Sequence, residues 1–262
     1  KGFFMKIMRL HRWLLDEYKR DGSFAWGKTI VGYSTLVLAI IIISGLVIWY
    51  PRNRKALKNR FKIRTKAGWF RFLYDLHVSG GFYAALLLLI LALTGLTWSF
   101  GWYRDAFYTA FGISTTSKQT HAPTSAVPQK TAGERGSKKH PKTDYTQWSE
   151  VLADLQSRYP EYKSISIQDG SATVSTAAYG NTRGSDRYSF DPATGKITEI
   201  QLYKDLPKSA KIRGWIYSVH AGTWGGLTTR ILSCLVSLLG AVFAITGYYF
   251  WIKKKLRKSK QR

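Results

Sequence analysis

Five histidines carry most of the cofactor chemistry that this 262-residue chain could do. His121 and His140 lie beside Pro123 and Pro141 in a polar stretch and read as solvated. His11, His77 and His220 instead adjoin apolar, aromatic and small residues. Taken singly, each is an ordinary polar residue at a helix end, bonded to a carbonyl. Taken together they suggest metal chemistry, because neutral imidazole is the commonest side-chain metal ligand. Two facing imidazoles supply the two axial positions of a six-coordinate b-type haem iron. Nearby glycines would let a macrocycle approach the backbone, and aromatics would wall it. Zinc fits less well, since it takes three or four ligands and no Cys, Asp or Glu accompanies these histidines. No CxxCH motif is present, which excludes a covalently attached c-type haem. The lone cysteine, Cys234, offers neither a disulfide framework nor a CxxC pair. No nucleophile–base set, acid/base pair or phosphate loop is evident.

The elements that must position these residues are membrane spans. Residues 29–50, 78–103 and 231–252 are apolar, without Asp, Glu or Lys/Arg over most of their length. Each is long enough to cross a hydrocarbon layer of about 30 Å as a helix of about 20 residues. The mean hydropathy of −0.18 hides them by averaging with a long polar insert. The net charge of +25 would suit a nucleic-acid binder if it were spread over a folded surface. It is not. Nine Lys/Arg and no acid occupy residues 52–71, and seven more occupy 253–262. Both runs flank spans directly, which is the positive-inside pattern, so no nucleic-acid partner is expected.

That pattern sets an expected topology. Residues 51–77 form a basic cytoplasmic loop, and 253–262 a basic cytoplasmic tail. Residues 1–28 and 104–230 then lie outside. Residues 3–18 have helical apolar spacing and predict an extracytoplasmic amphipathic helix bearing His11. His220, in a re-entry segment at 211–230, falls on the same outer side, while His77 opens the second span on the inner side. At 1.5 Å per residue the two levels are about a bilayer apart. An N-out start without an export signal predicts a further span upstream of Lys1.

The outer segment divides. Residues 104–143 are linker, and Ser114–Thr143 has almost no large apolar residue. Residues 144–210 predict a small α+β domain. Trp148, Val151, Leu152, Leu155 and Tyr159 space as one helix face. Strands are expected over 163–168, 172–178, 187–191 and 196–203, with Asp191-Pro192-Ala193-Thr194-Gly195 as a turn. The fold class is therefore a membrane α-helical bundle, with three visible spans and four expected in the full chain, plus a small extracytoplasmic α+β domain.

A pattern repeats along the spans. Leu76-His77-Val78-Ser79-Gly80-Gly81 leads to Thr94-Gly95, and Val219-His220-Ala221-Gly222 leads to Thr246-Gly247. Ser44-Gly45 stands at the corresponding place in the first span. Small residues there allow close helix approach, and the hydroxyls can bond the preceding turn or a neighbour.

These units, with the segment Leu10-His11-Arg12-Trp13-Leu14 and the turn at 191–197, resemble the PepSY-associated transmembrane family. The resemblance implies four spans, of which this chain carries the last three, and an extracytoplasmic PepSY domain between the third and fourth. It also implies a role for some members as inner-membrane ferric-siderophore reductases using haem b. The expected function is an electron conduit, a possible membrane-bound ferric reductase, that takes electrons from a quinone or a cytoplasmic reductase. His11 and His220 would be the outer axial ligands and His77 one inner ligand. The expected partners are membrane lipid and a ferric siderophore. The alternative is a non-catalytic membrane module, whose PepSY-like domain binds a partner protein or regulates a protease.

Overall fold

Long apolar runs with few charges form helices because only a helix satisfies its own backbone inside a lipid layer. The computed structural model describes residues 2–16, 24–51, 57–58, 60–113, 145–176 and 180–259. The expected linker at Ser114–Thr143 lies outside the described residues, as do His121 and His140. The chain divides into two units, residues 1–104 with 216–262, and residues 105–215.

The first unit is helical. It contains α1 (Gly2–Trp13), α2 (Trp26–Trp49), α3 (Trp69–Asp75), a π-helical turn (Leu76–Gly80), α4 (Gly81–Ser99) and α8 (Gly226–Ser259). Three helices are long and apolar enough to cross a membrane: Trp26–Trp49, Trp69–Ser99 and Gly226–Arg257. Helix α4 is the middle one, packing on α2 along one side and on α8 along another. Glycines set the spacing. A Cβ at Gly32 of α2 would meet the Ser99 Cβ at 2.9 Å, and one at Gly240 of α8 would meet Leu88 at 3.2 Å. The outward faces carry exposed Ile40, Ile41, Val47, Ile48, Leu235, Leu238 and Ile245. Continuous apolar exposure of this kind suits contact with lipid rather than water.

Hydrogen bonds brace one end of the bundle. The Arg60 guanidinium donates to the Trp49 and Ile48 carbonyls, satisfying acceptors that the end of α2 leaves open. The Ser79 hydroxyl donates to the Arg60 carbonyl at 2.6 Å. Asp75, buried at 3 % exposure, pairs with Arg71 at 2.9 Å and accepts the Arg64 N–H at 3.1 Å. Trp49 stacks on Phe82 with ring centres 3.9 Å apart.

At the chain's start, α1 ends sooner than the apolar spacing of residues 3–18 suggests. Leu14 and Leu15 take left-handed backbone (φ 52° and 67°), which turns the chain back. Asp16 then accepts the Gly27 N–H at 3.2 Å. Gly27 is required there, because a Cβ would lie 1.7 Å from the Trp13 carbonyl oxygen. No residue of α1 is buried.

The second unit holds the α+β part. Helix α6 (Trp148–Arg158) covers a four-stranded antiparallel sheet in the order β1-β2-β3-β4. The strands are Ser164–Gln168, Ser171–Ser175, Ser185–Phe190 and Ile197–Gln201. Alternate residues of the inner strands face the helix, so Ala172, Val174, Tyr188 and Phe190 pack with Val151 and Leu155. The buried Asp186 carboxylate accepts the Tyr159 hydroxyl and the Tyr203 N–H, each at 2.6 Å. The turn after β3 forms as its residues require. Asp191 accepts the Ala193 N–H at 3.0 Å and the Thr194 hydroxyl at 2.9 Å, and Gly195 has φ 69°.

The stretch expected as a re-entry segment at 211–230 is helical in its first half: α7 runs Lys208–His220 and ends on the histidine. The second span, expected to run to Tyr103, stops at Ser99. Phe100 is extended (φ −123°, ψ 125°), and a separate helix α5 spans Gly101–Ala110. An extended residue between Ser99 and Gly101 redirects the chain where a continuous helix would otherwise carry on.

Candidate functional site

The repeated histidine units turn out to be reciprocal. His77 begins the α4 approach, and its Nδ1 lies 2.9 Å from the Thr246 Oγ1, near the far end of α8. His220 precedes α8, and its Nδ1 lies 3.1 Å from the Thr94 Oγ1, near the far end of α4. Each imidazole also lies on the glycine that follows its threonine. A Cβ at Gly247 would meet the His77 Cε1 at 3.2 Å, and one at Gly95 would meet the His220 Cε1 at 3.1 Å. The Thr-Gly pair of one helix is thus the seat of the histidine that introduces the other. Antiparallel α4 and α8 are pinned to each other at both ends.

Hydrogen-bond direction fixes the tautomer of His220. The His220 Nδ1 also lies 3.0 Å from the Leu91 carbonyl oxygen, which can only accept. Its Nδ1 therefore carries the proton. The Thr94 hydroxyl sends its own proton to the Ile90 carbonyl at 2.7 Å, and the Thr246 hydroxyl sends its proton to the Val242 carbonyl at 2.8 Å. The Thr94 oxygen then accepts from the His220 N–H. Among the described residues, neither Nε2 has a hydrogen-bond partner. His220 presents a lone pair at Nε2, which is the form that binds a metal. Between His77 and Thr246 the direction of the bond is set by the tautomer of His77.

The setting of His77 comes from local backbone. A π-helical turn, Leu76–Gly80, inserts one residue at the junction of α3 and α4. Such turns rotate the side chains on either side of them and recur at functional sites. Ser79, bonded to the Arg60 and Lys62 carbonyls, fastens this turn to the preceding loop. Phe243 and Phe250 stand edge-on to the His77 ring, with centres 5.9 and 5.8 Å away.

His220 meets a second histidine. The His11 and His220 ring centres are 6.0 Å apart, with planes 35° from parallel. Two imidazoles sharing one metal at about 2 Å, each ring centre roughly an ångström beyond its nitrogen, have centres about 6 Å apart. Trp98 stands edge-on to His220, with ring centres 5.1 Å apart, and supplies an apolar wall. Burial pushes the His220 imidazole below its ordinary pKa range. The Leu91 carbonyl opposes that shift, and the nearby His11 adds to it. Neutral imidazole is therefore favoured where a ligand would need it.

The donor set distinguishes between metals. Among the described residues, no group of three His, Cys, Asp or Glu side chains gathers. A bare transition ion would find two ligands, whereas a haem iron brings four of its own and needs two more. The residues fit haem better than zinc. His77 has no second histidine beside it among the described residues. The structure places it with Thr246 and the two phenylalanines, apart from the His11–His220 pair.

The comparisons with known proteins bear on the whole chain. The family described as the PepSY-associated TM region matches residues 1–254. The chain belongs to the PepSY-associated transmembrane family. No curated protein matches it. The family fits both units, a membrane helical part and an α+β part. In this PepSY-associated chain the Thr-Gly pairs were legible as sites of close helix approach. Their use as imidazole seats was not, because the seat and its histidine are more than 120 residues apart in one case and almost 170 in the other. The π turn was missed as well. Its only signal is a Ser-Gly-Gly run, which also suits an ordinary helix start.

Proposed function

We propose that the protein is a haem-b-containing electron conduit of the bacterial inner membrane, which reduces ferric-siderophore or similar ferric complexes at the face bearing His11 and His220. The observation that carries the reading is the His11–His220 pair, two rings 6.0 Å apart with the His220 Nε2 lone pair unengaged. His11 and His220 would hold the outer haem, and His77 would give one ligand to an inner one. The basic runs at 52–71 and 253–262 support an orientation with the His77 end in the cytoplasm. When bound, haem supplies reversible one-electron transfer between Fe(III) and Fe(II).

The chain's own residues do the rest. Thr94, Leu91 and Thr246 hold the imidazole protons at Nδ1, so neither ligand has to lose a proton in order to bind. Trp98, Phe243 and Phe250 keep water from the rings, which steadies the potential of whatever is bound there. Apolar α2, α4 and α8 hold the two histidine levels at opposite ends of the antiparallel α4–α8 pair. Hard-oxygen chelators bind Fe(II) far less tightly than Fe(III), so an electron delivered at the outer face is enough to release iron.

The test is the colour of the full-length protein, purified from membranes of cells supplied with haem. A Soret band with sharp dithionite-reduced visible bands is expected, together with faster reduction of a ferric hydroxamate by membranes containing it. A colourless protein after haem supplementation overturns the reading.

A further inference from the structure

The reciprocal seating of the two histidines has a chemical asymmetry. The His220 Nδ1–H has two acceptors, the Leu91 carbonyl at 3.0 Å and the Thr94 hydroxyl at 3.1 Å. The His77 Nδ1 has one hydrogen-bond partner among the described residues, the Thr246 hydroxyl at 2.9 Å. Among the described residues, no other group hydrogen-bonds to the His77 ring. Gly247 has no side chain, and Phe243 and Phe250 present ring edges. The Thr246 hydroxyl is itself oriented, since its proton goes to the Val242 carbonyl at 2.8 Å and, less well, to the Phe243 carbonyl at 3.3 Å. A hydroxyl whose proton is committed to its own helix can only accept from the imidazole. The backbone of α8 thereby dictates, through one threonine, which nitrogen of His77 bears hydrogen.

The geometry points to Thr246 as the positioning residue that fixes the metal-binding tautomer of His77, with Thr94 in the same role for His220 but backed up by the Leu91 carbonyl. Thr246 never touches the cofactor. It acts by holding His77 in the Nδ1–H form, which leaves the lone pair on Nε2, beside Gly247 of the same helix. A neutral hydroxyl, unlike a carboxylate, draws little on the Nδ1 proton, so the ligand stays a neutral imidazole and not an imidazolate. This assignment rests on the haem reading for its consequence, but the tautomer itself does not.

Two measurements on the full-length protein separate those levels. In the haem-free protein labelled with 15N-histidine, ring-nitrogen shifts report the tautomer of each histidine directly. Both His77 and His220 are expected as Nδ1–H. Thr246→Val, which keeps the shape of the side chain, is expected to turn His77 into a mixture of tautomers, whereas Thr246→Ser leaves it unchanged. Thr94→Val leaves His220 as Nδ1–H, because Leu91 still accepts. In the haem-loaded protein, Thr246→Val is expected to weaken the His77-dependent haem by about 10–100-fold, the usual cost of losing an outer-shell partner. It should also shift that haem's midpoint potential, and Thr246→Ser should restore both. Thr94→Val should cost the His220-dependent haem less. Nε2–H at His77 in the wild type, or a Thr246→Val protein with unchanged tautomer, overturns the assignment. A wild type that binds no haem yet shows both Nδ1–H signals overturns the proposed function and upholds the role of the threonine.

Discussion

His220 sits where a burial penalty, a hydrogen bond and a second imidazole meet, and its substitution gives the sharpest readout at the scale of single residues. Removing either member of the pair leaves one imidazole and an open axial position. His220→Ala and His11→Ala are each expected to abolish one low-spin six-coordinate spectrum while His121→Ala and His140→Ala leave it intact. An unchanged spectrum in His220→Ala, recorded by visible absorption of the reduced protein, would end the assignment of that ligand. The pH dependence has a definite sign. Burial holds the folded-state pKa of His220 below its ordinary value of about 6.5, so the unfolded chain takes up the proton more readily. Well above pH 6.5 both states are neutral and the histidine contributes nothing to the slope. Below it, the unfolded state binds more protons and the folded state loses stability as the pH falls. Thermal unfolding of the haem-free protein should therefore show a midpoint that drops between about pH 7 and pH 5.5, with a shallower drop in His220→Gln.

The helices place these residues, and two local devices decide whether they meet. The first is the contact between α1 and the start of α2. Gly27 lets the Trp13 carbonyl approach to a distance that no Cβ could share, and Asp16 fastens the turn by accepting the Gly27 N–H. Gly27→Ala is expected to displace α1 and carry His11 away from His220. The His11-dependent spectrum should be lost while the His77-dependent one persists, a pattern read by comparing its spectrum with that of His11→Ala. The second device is the loop fastened by Asp75, Ser79 and Arg60. Asp75→Ala removes a buried acceptor, but Arg71 is 42 % exposed in its side chain and can turn to water. The expected loss is about 1–2 kcal/mol, seen as a lower unfolding midpoint. Much of this architecture was legible in the sequence. Span length and charge-free runs gave the three membrane helices, and the spacing of Val151 and Leu155 with the Asp191–Gly195 turn gave the α+β unit. Period and turn chemistry are local signals. The left-handed Leu14-Leu15 turn, the π turn at Leu76–Gly80 and the break at Phe100 were not legible, since each is set by contacts from elsewhere in the first unit. The histidine pair was named from the side of the membrane each was assigned to, whereas the Thr-Gly seats depend on antiparallel packing that no local spacing encodes.

At the scale of the whole molecule, the repeat makes a two-ended object out of α4 and α8. Each helix follows a histidine at one end and carries a Thr-Gly seat at the other, so an antiparallel pair produces two reciprocally seated imidazoles at opposite ends. Two such sites are useful only if the ends face different compartments, which makes orientation the property on which the proposed function turns. Charge argues for one orientation. Arg60, Arg64 and Arg71 brace the His77 end through the Trp49 carbonyl and Asp75, and the Lys253–Lys255 run leaves α8 at the end that carries Thr246-Gly247. Carrying those cations across the bilayer would cost about 2.5–3.5 kcal/mol per residue at the membrane centre, so the end that holds them is expected in the cytoplasm. The expectation is tested in a Cys234→Ser background, which removes the exposed native thiol. A cysteine placed at Ser125 should react with an impermeant maleimide added to intact cells stripped of their outer membrane. A cysteine placed at Lys58 should react only after the inner membrane is opened. The reverse pattern would put the His11–His220 pair in the cytoplasm, where no external ferric complex could reach it, and the conduit would have to run the other way.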